Sequence, residues 1–362
     1  MKMAPVARLL RHHKIFDFTL VHTGQHYASM SDPFFRELRL PDPKYHLRVG
    51  STSAAAQIGL VLMRLVPVLE KVRPALVLVV GDVNSTLGGA LAAHKLGMKV
   101  GHIEAGLRSF DDSMPEEINR RLTDSISDLC FTHSPEADVN LRREGISPER
   151  IHRVGNLMID TLLRLKPLAR RSRILKIIGL KNRGYVLLTL HRPSNVDREE
   201  DLRKFVEMLR RLGSSVPVVF PVHPRTFDSG RRYGLWKTQE VHRLNGSPIA
   251  RLGELTLIRP VGYVDFLRLQ SSARFVMTDS GGVQEETTVL GVPCLTLREN
   301  TERPLTIRQG TNRLAGTNPA RILRHAQRLV DGDVPLRRVP RLWDGRSGER
   351  LIEVLEKTFL AR

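Results

Sequence analysis

The chain alternates short apolar runs, each bounded by glycine or polar residues, with longer stretches of helical character. Such runs are typical of parallel strands that are buried on both faces of a sheet. Strands that alternate with helices predict a doubly wound α/β fold. The predicted strands are Phe16–Val21, Leu76–Val80, Val100–Ile103, Leu129–Thr132, Tyr185–Leu190, Val216–Phe220, Leu257–Ile258, Phe275–Thr278 and Pro293–Leu297.

The length of the chain predicts two domains, because 362 residues exceed the size at which a single core usually stops growing. A basic, proline-containing stretch at residues 164–182 divides the strand series into two halves. We therefore predict Rossmann-like domains over residues 1–165 and 166–345, with a ligand cleft between them. The remaining residues, 346–362, contain an amphipathic segment that is expected to form a helix packing back on the first domain.

A helix start after one predicted strand resembles a nucleotide-binding site. Asp279-Ser280-Gly281-Gly282 leads into a helix that should run to Leu290 and end at Gly291. Two glycines in the first turn would let a diphosphate approach free backbone N–H groups, and Glu286 could accept hydrogen bonds from both ribose hydroxyls. The alternative is that Ser280 simply caps the helix while the acidic residues complement its dipole.

Four side chains near strand ends are candidates for proton transfer, which needs a base on one face of a carbon and an acid on the other. They are Asp82, Glu104, Glu116 and His191. If the ends of the strands face one cleft, these groups would converge there. His26 also follows a predicted strand, where it could line the cleft, bind an effector or be an ordinary loop histidine.

Each carboxylate also has a structural alternative. Asp82 could cap the helix that begins near Asn84 or Ser85, and Glu104 could pair with Arg108. Glu116 could belong to a capping box, because Ser113-Met114-Pro115-Glu116 has the required spacing and Arg120 lies four residues further on.

The composition narrows the function classes. Hydrophobic residues at 41% and charged residues at 26% are ordinary for a soluble protein, and no apolar run approaches the ~20 residues of a membrane helix. Cys130 and Cys294 cannot form a disulfide framework, and no secretory leader is evident, so a cytoplasmic location is expected. Neither zinc-like Cys/His spacing nor a GxGxxG or Gly-Lys-Ser/Thr phosphate loop occurs, so metal, NAD and ATP are unsupported.

The net charge of +19 predicts attraction to anions of some kind. Aromatic residues make up only 5% of the chain, and the basic residues are scattered rather than interleaved with stacking side chains. A solvated basic surface is therefore favoured over a nucleic-acid site.

Several long motifs resemble, in the same order, those of the non-hydrolysing UDP-N-acetylglucosamine 2-epimerases. The similarity spans nearly the whole chain and is more specific than any one motif. The motifs are Thr23-Gly24-Gln25-His26, Gly81-Asp82-Val83-Asn84-Ser85-Thr86, Glu104-Ala105-Gly106-Leu107-Arg108, Met114-Pro115-Glu116-Glu117-Ile118-Asn119-Arg120, Asp279-Ser280-Gly281-Gly282-Val283-Gln284-Glu285-Glu286 and Thr301-Glu302-Arg303-Pro304.

The resemblance implies a two-domain GT-B-like fold and the interconversion of UDP-GlcNAc and UDP-ManNAc without a cofactor or a metal. It implies elimination of UDP to a glycal, followed by re-addition. A homodimer, domain closure on the ligand and activation by substrate are also implied. The residues concerned are, for catalysis, Asp82, Glu104, Glu116 and His191; for substrate binding, Lys2, Arg120, Phe266, Ser280, Gly281, Gly282, Glu286 and Arg303; and for an effector, Gln25 and His26.

The resemblance also has a departure at the start of the sequence. Family members open with a strand and a Gly-Thr-Arg-Pro-Glu loop, whereas this sequence begins at Met1-Lys2-Met3-Ala4-Pro5, so that strand is expected to be absent. Three alternatives to an epimerase stay open at this point: a hydrolysing relative, a GT-B glycosyltransferase, and an inactive protein that binds a UDP-sugar.

Overall fold

The computed structural model describes residues 1–25, 35–236, 248–335 and 337–360. The chain folds into two compact units. The first comprises Met1–Thr161 together with Arg341–Arg362, and the second comprises Leu162–Pro340. Each unit has its own hydrophobic core.

Helices and strands alternate through both units. In chain order, the helices of the described residues are α1 Met3–Arg11, α2 Ala54–Val72, α3 Asn84–Lys95, α4 Pro115–Ile126, α5 Pro135–Arg143, α6 Leu157–Arg170, α7 Ile174–Ile178, α8 Pro193–Val196, α9 Glu199–Gly213, α10 Pro224–Arg232, α11 Tyr263–Ser272, α12 Gly281–Leu290, α13 Pro304–Arg308, α14 Pro319–Val330 and α15 Ser347–Leu360. The strands are β1 Val21–His22, β2 Tyr45–His46, β3 Leu76–Val80, β4 Lys99–Ile103, β5 Leu129–Thr132, β6 Ile151–Arg153, β7 Val186–Thr189, β8 Val218–Pro221, β9 Pro248–Leu252, β10 Leu255–Ile258, β11 Phe275–Thr278, β12 Cys294–Thr296 and β13 Asn312–Leu314.

The strands of the first unit form two parallel sheets. One has the order β3-β4-β5-β6, and the other is the pair β1-β2. In β3, Val77 and Val79 pack on the side of α2 and α3, whereas Leu78 and Val80 pack on the side of α1 and α15. Because successive side chains of a strand point to opposite faces, this alternation covers the four-stranded sheet with helices on both faces.

The last helix, α15, belongs to the first unit and packs against α1. The backbone N–H groups of Ser347 and Gly348 donate to the carboxylate of Asp160, at 3.1 and 2.7 Å. A carboxylate from a different helix thus satisfies the first N–H groups of α15, which have no partner within their own helix.

The second unit contains one sheet of seven strands in the order β13-β12-β11-β7-β8-β10-β9. All neighbouring pairs are parallel except β10 and β9. In β7, Val186 and Leu188 enter one buried cluster, whereas Leu187 enters another on the opposite face. A parallel sheet buried on both faces is the doubly wound arrangement that the sequence predicts, so the predicted fold class is confirmed.

The boundaries of some predicted strands are wrong. Phe16–Val21 was expected as one strand, but only Val21–His22 pairs, and Phe16 and Phe18 pack against the core without joining a sheet. The short strands β2, β6, β9 and β13 were not predicted, because two to five residues give too little pattern to recognise.

None of the helices in the described part of the chain is long and apolar enough to cross a membrane.

Candidate active site

In the first unit, two of the predicted catalytic carboxylates follow adjoining strands. β3 and β4 are parallel, with Val80 opposite Ile103, so both strands end at the same edge of the sheet. Asp82 comes two residues after Val80, and Glu104 comes directly after Ile103. The backbone N–H of Gly81 donates to the carbonyl of Ile103 at 3.0 Å, which ties the two strand ends together.

Asp82 is paired with a cation and does not cap a helix. Its Oδ2 accepts a hydrogen bond from Nη2 of Arg120 at 2.5 Å, while the N-cap residue of α3 is Val83 and makes no side-chain capping bond. The capping alternative for Asp82 is therefore wrong. Asn119 adds support, because its Nδ2 donates to the carbonyl of Asp82 at 2.9 Å.

Glu104 is buried and adopts a conformation that is rare for residues other than glycine. Its φ is 74°, a left-handed value that costs about 1–3 kcal/mol and is concentrated at functional sites. Its carboxylate pairs with the ammonium of Lys2, the N-cap residue of α1. The structural alternative, a pair with Arg108, is wrong, since that guanidinium pairs with Asp124 and Glu144.

Glu116 and its neighbour Glu117 differ in their burial and in their partners. Glu116 is exposed in the first turn of α4, and the predicted capping box is absent, because the N-cap is Met114. Glu117 is buried, pairs with Arg120 at 2.8 Å, and accepts hydrogen bonds from the N–H and the hydroxyl of Ser109. Arg120 therefore joins the carboxylates of Asp82 and Glu117, not that of Glu116.

Of the two residues predicted to bind an effector, only Gln25 lies in the described part of the chain. The Oε1 atom of Gln25 accepts hydrogen bonds from the N–H and the hydroxyl of Ser85, at 3.0 and 2.7 Å. Gln25 therefore lies at the first turn of α3. His26 lies outside the described residues.

In the second unit, the predicted nucleotide-binding helix start is present. The helix α12 begins at Gly281, directly after Ser280, and ends before Gly291, whose φ of 70° gives the left-handed C-cap that the sequence predicts. Ser280 occupies the N-cap position, but its hydroxyl makes no capping hydrogen bond. The purely structural alternative for Ser280 is therefore wrong, and its hydroxyl is available beside the N–H groups of the first turn.

Position 281 requires glycine because two side chains lie very close to its Cα atom. A Cβ atom at this position would lie 2.5 Å from Nη1 of Arg303 and 2.7 Å from Oε1 of Glu302. Arg303 is buried, and it pairs with Glu302 and, through Nε at 3.2 Å, with Glu285. A guanidinium thus lies against the first residue of α12, where the helix dipole is also positive.

His191 lies at the end of β7 and is oriented by Asp279 at the end of β11. Its Nδ1 is 2.8 Å from Oδ1 of Asp279, and Oδ2 of the same carboxylate accepts from the N–H groups of His191 and Arg192. Burial alone would raise the pKa of Asp279, but these hydrogen bonds lower it below its ordinary value. Because the carboxylate accepts a hydrogen bond from Nδ1, the Nε2 atom faces away from Asp279 and can meet a ligand, and the side chain of His191 is 44% exposed.

Glu286 is buried in α12 beside a phenol from α11. The hydroxyl of Tyr263 donates to its Oε1 at 2.7 Å, and burial raises the pKa of Glu286 to about 7. Phe266 lies one turn beyond Tyr263 on α11 and is half-buried against the core of this unit. A titrating carboxylate thus lies in the second turn of α12, beside the helix that carries Phe266.

Three residues of the site were missed by the sequence reasoning. Asp279 could have been found, because it directly follows a predicted strand and begins the motif that was singled out. Glu117 could have been found from its i,i+3 spacing to Arg120. Tyr263 gave no signal, since it meets Glu286 only through the packing of two helices.

Comparison with known proteins agrees with these features. The family model for UDP-N-acetylglucosamine 2-epimerase matches residues 8–356. A UDP-N-acetylglucosamine 2-epimerase of Methanococcus maripaludis is 44% identical over 98% of this chain and 94% of its own length. A UDP-2,3-diacetamido-2,3-dideoxy-D-glucuronate 2-epimerase of Pseudomonas aeruginosa is 40% identical, with 98% and 96% covered.

A solved structure extends the similarity to the fold. The Methanocaldococcus jannaschii UDP-GlcNAc 2-epimerase, crystallised in complex with UDP-GlcNAc and UDP, has a TM-score of 0.87 and 39% identity, and the match covers 98% of this chain and 95% of that one. The motifs, the GT-B-like fold and the match along almost the whole length lead to one conclusion: this chain belongs to the UDP-N-acetylglucosamine 2-epimerase family.

Proposed function

We propose that this chain is an isomerase that inverts C2 of a UDP-N-acetylhexosamine and interconverts UDP-GlcNAc and UDP-ManNAc. The observation that carries the proposal is the pair of carboxylates, Asp82 and Glu104, at the ends of adjoining parallel strands. Membership of the family and the named activity of its relatives support the choice of reaction.

The reaction balances without a redox partner. A base removes the proton on C2 while the bond between C1 and the UDP oxygen breaks, which gives UDP and a glycal with a C1–C2 double bond. An acid then delivers a proton to the other face of C2 as the UDP oxygen re-adds to C1. The protein must therefore supply proton-transfer groups near both faces of C2 and stabilise the charge on the departing diphosphate.

The first unit would supply the proton-transfer groups, which we assign to Asp82, Glu104 and Glu116. Asp82 is paired with Arg120, and Glu104 is paired with Lys2. Lys2 has a side chain that is 27% exposed and is a cation that an anionic substrate could approach, whereas Arg120 is buried and would act through its pairs with Asp82 and Glu117.

The second unit would hold the nucleotide. Ser280, Gly281 and Gly282 offer one hydroxyl and the N–H groups of a helix start to the phosphates, and Arg303 adds a positive charge behind them. Elimination concentrates negative charge on the β-phosphate, so these donors and His191 would bind the transition state more strongly than the ground state.

The nucleoside would be held beside the phosphates. Glu286 would accept hydrogen bonds from the ribose hydroxyls, and Phe266 would lie next to the uracil. The position of Glu286 in the second turn of α12, on the helix that starts with the phosphate-binding residues, supports this assignment.

Solvent deuterium exchange tests the reaction. The protein is incubated with UDP-GlcNAc in heavy water, and the nucleotide sugar is followed by proton NMR. We expect deuterium at C2 and a mixture of the two epimers, with little free UDP. Free UDP that accumulates with ManNAc indicates a hydrolase instead. The proposal is refuted if UDP binds saturably but no exchange occurs. This outcome requires that neither UDP-GlcNAc nor the diacetamido-glucuronate sugar named for the Pseudomonas relative exchanges its C2 proton.

A matched pair of variants tests the role of Asp82. Asp82→Asn removes a proton acceptor with little change of shape, so exchange at C2 should be abolished while the affinity for UDP stays nearly unchanged. Asp112→Asn is the control, because Asp112 belongs to an exposed ion pair with Arg121 in the same unit. Equal losses of exchange and of UDP affinity in Asp82→Asn would identify a structural carboxylate.

We propose that the protein acts as a homodimer. On helix α2, Leu62 and Val66 pack against the core of the unit, whereas Met63 is 74% exposed. An exposed apolar side chain of this size is one that a second subunit could cover. Sedimentation equilibrium should give twice the monomer mass, and Met63→Glu should lower it; a monomeric wild type contradicts the proposal.

We also propose that the protein works in the cytoplasm and that Gln25 and His26 contact an effector. Both cysteines are buried thiols, and burial raises the pKa of Cys130 and of Cys294 to about 12, as suits a reducing compartment.

Activity that rises sigmoidally with UDP-GlcNAc, and hyperbolically in Gln25→Ala, supports the effector role, whereas identical curves refute it.

A further inference from the structure

Behind the two strand ends of the first unit lies a fully buried charged pair. His102 on β4 and Asp124 on α4 have no exposed surface. The Nδ1 atom of His102 is 2.6 Å from Oδ1 of Asp124, and its Nε2 atom is 2.8 Å from the carbonyl oxygen of Gly81. The imidazole therefore joins the middle of the unit to the residue that directly precedes Asp82.

The partners of the imidazole fix its protonation. A carbonyl oxygen can only accept a hydrogen bond, and so can an ionised carboxylate. Burial alone would raise the pKa of Asp124, but the charges and hydrogen bonds of His102 and Arg108 lower it, so the carboxylate is ionised. Both ring nitrogens of His102 therefore face hydrogen-bond acceptors, and an imidazolium, which donates from both nitrogens, is the form that satisfies both contacts.

The surrounding charges balance this cation. Oδ2 of Asp124 accepts from Nη2 of Arg108 at 2.7 Å, and Arg108 also donates to both carboxylate oxygens of Glu144. The two cations and two anions form a neutral chain from Glu144 to His102. Removal of one member would leave an uncompensated buried charge, which is far less favourable than the complete chain.

The chain of charges holds both loops that carry the proposed catalytic carboxylates. The carbonyl of Gly81 accepts from His102, and the N–H of Gly106, two residues after Glu104, donates to Oδ2 of Asp124 at 3.1 Å. Gly81 and Gly106 both have positive φ, at 73° and 78°, so each turn is bent sharply at the residue that the pair contacts. An unsupported turn of this kind would have other conformations available.

We propose that His102, held as an imidazolium by Asp124, is a positioning residue that sets the separation of Asp82 and Glu104 for proton transfer at C2. This inference rests on the proposed epimerase function. His102 itself touches neither substrate nor reacting atoms; it acts through the Gly81 carbonyl. Misplacement of catalytic groups by about 1 Å can lower a rate by about 100-fold, whereas binding in another part of the protein is unaffected.

The first experiment separates the rate from binding. In His102→Gln, the amide can still donate to one acceptor but cannot bridge two, so kcat for C2 exchange should fall by about 10- to 100-fold while the Kd for UDP changes less than about twofold. Asp124→Asn should have the same pattern. His152→Gln is the control, since His152 is half-buried and lies on β6, which is separated from β4 by β5. Unchanged kcat in a folded His102→Gln protein overturns the inference.

The second experiment reads the protonation directly in the wild-type protein and does not depend on the folding of a variant. In protein labelled with 13C and 15N, both ring nitrogens of His102 should carry a bonded proton near neutral pH, with the resonances assigned by through-bond correlation to the backbone of His102. One protonated nitrogen alone refutes the imidazolium. Absence of exchange in the wild type would refute the proposed function instead, and the NMR result would still stand.

Discussion

If Glu286 accepts the ribose hydroxyls as proposed, its titration should make the affinity for UDP depend on pH. This carboxylate is only 2% exposed, and burial raises its pKa to about 7. Ribose hydroxyls are hydrogen-bond donors, so they prefer the ionised carboxylate. Binding of UDP should therefore select the charged form and release a proton where the free protein holds Glu286 protonated.

The magnitude follows from the pKa. With a value of about 7, roughly one tenth of the free protein carries a charged Glu286 at pH 6 and roughly nine tenths at pH 8. If only the charged form accepts the ribose, the affinity should rise about tenfold over this range, which corresponds to about 1.4 kcal/mol.

Titration calorimetry of wild type and Glu286→Gln with UDP measures this effect. The phosphates of UDP also titrate near pH 6, but they do so equally with both proteins, so the ratio of the two affinities isolates Glu286. Tyr263→Phe sharpens the test: the phenol donates to the carboxylate and lowers its pKa, so the midpoint should move to higher pH without this hydrogen bond. Parallel pH curves for wild type and Glu286→Gln, or a midpoint that moves downwards in Tyr263→Phe, would refute the reasoning.

Three further changes have expected outcomes. Because the pKa of Glu286 is raised, its contribution to the stability of the fold is complete below about pH 4 and is lost as pH rises through 7. The free energy of unfolding of wild type should therefore fall relative to that of Glu286→Gln between pH 5 and pH 8 in chemical denaturation. A rise would contradict this. Ser280→Ala should weaken UDP binding by about 0.5–1.5 kcal/mol in calorimetry, and an unchanged affinity would remove its hydroxyl from the phosphate site. Gly281→Ala should displace Arg303 and destabilise the fold by about 1–3 kcal/mol, whereas Gly59→Ala in α2, where a Cβ meets no atom within 4 Å, should stabilise it by up to about 1 kcal/mol in the same unfolding assay.

The fold and one half of the site could be predicted because their signals are local. The helix α12 can be recognised from twelve residues of sequence, because two glycines mark its start and a left-handed glycine marks its end. The positions of Asp82 and Glu104 follow from the rule that the ends of parallel strands carry the site. The strand at Val21–His22 was predicted too long, because the apolar residues before it face a core without pairing.

The ion pairs of the first unit could not be predicted, because several partners satisfy the same spacing. From the sequence, Arg108 is a plausible partner of Glu104, and Arg120 of Glu116. The structure pairs Glu104 with Lys2 instead, 102 residues away, and turns Arg120 towards Asp82. Which cation meets which carboxylate depends on how α1 and α4 pack against the sheet, and helical spacing within one segment carries no information about that.

Three buried glutamates show why residue type alone does not assign a role. Glu104 meets an ammonium, Glu117 meets a guanidinium and the N–H of Ser109, and Glu286 meets the neutral hydroxyl of Tyr263. A cation favours the charged carboxylate, whereas a phenol in a buried site leaves it titrating near neutrality. A glutamate can thus be a candidate for proton transfer, an ion-pair partner of Arg120, or a titrating acceptor for ribose hydroxyls. In two of the three cases the partner that decides the role comes from a different helix or loop.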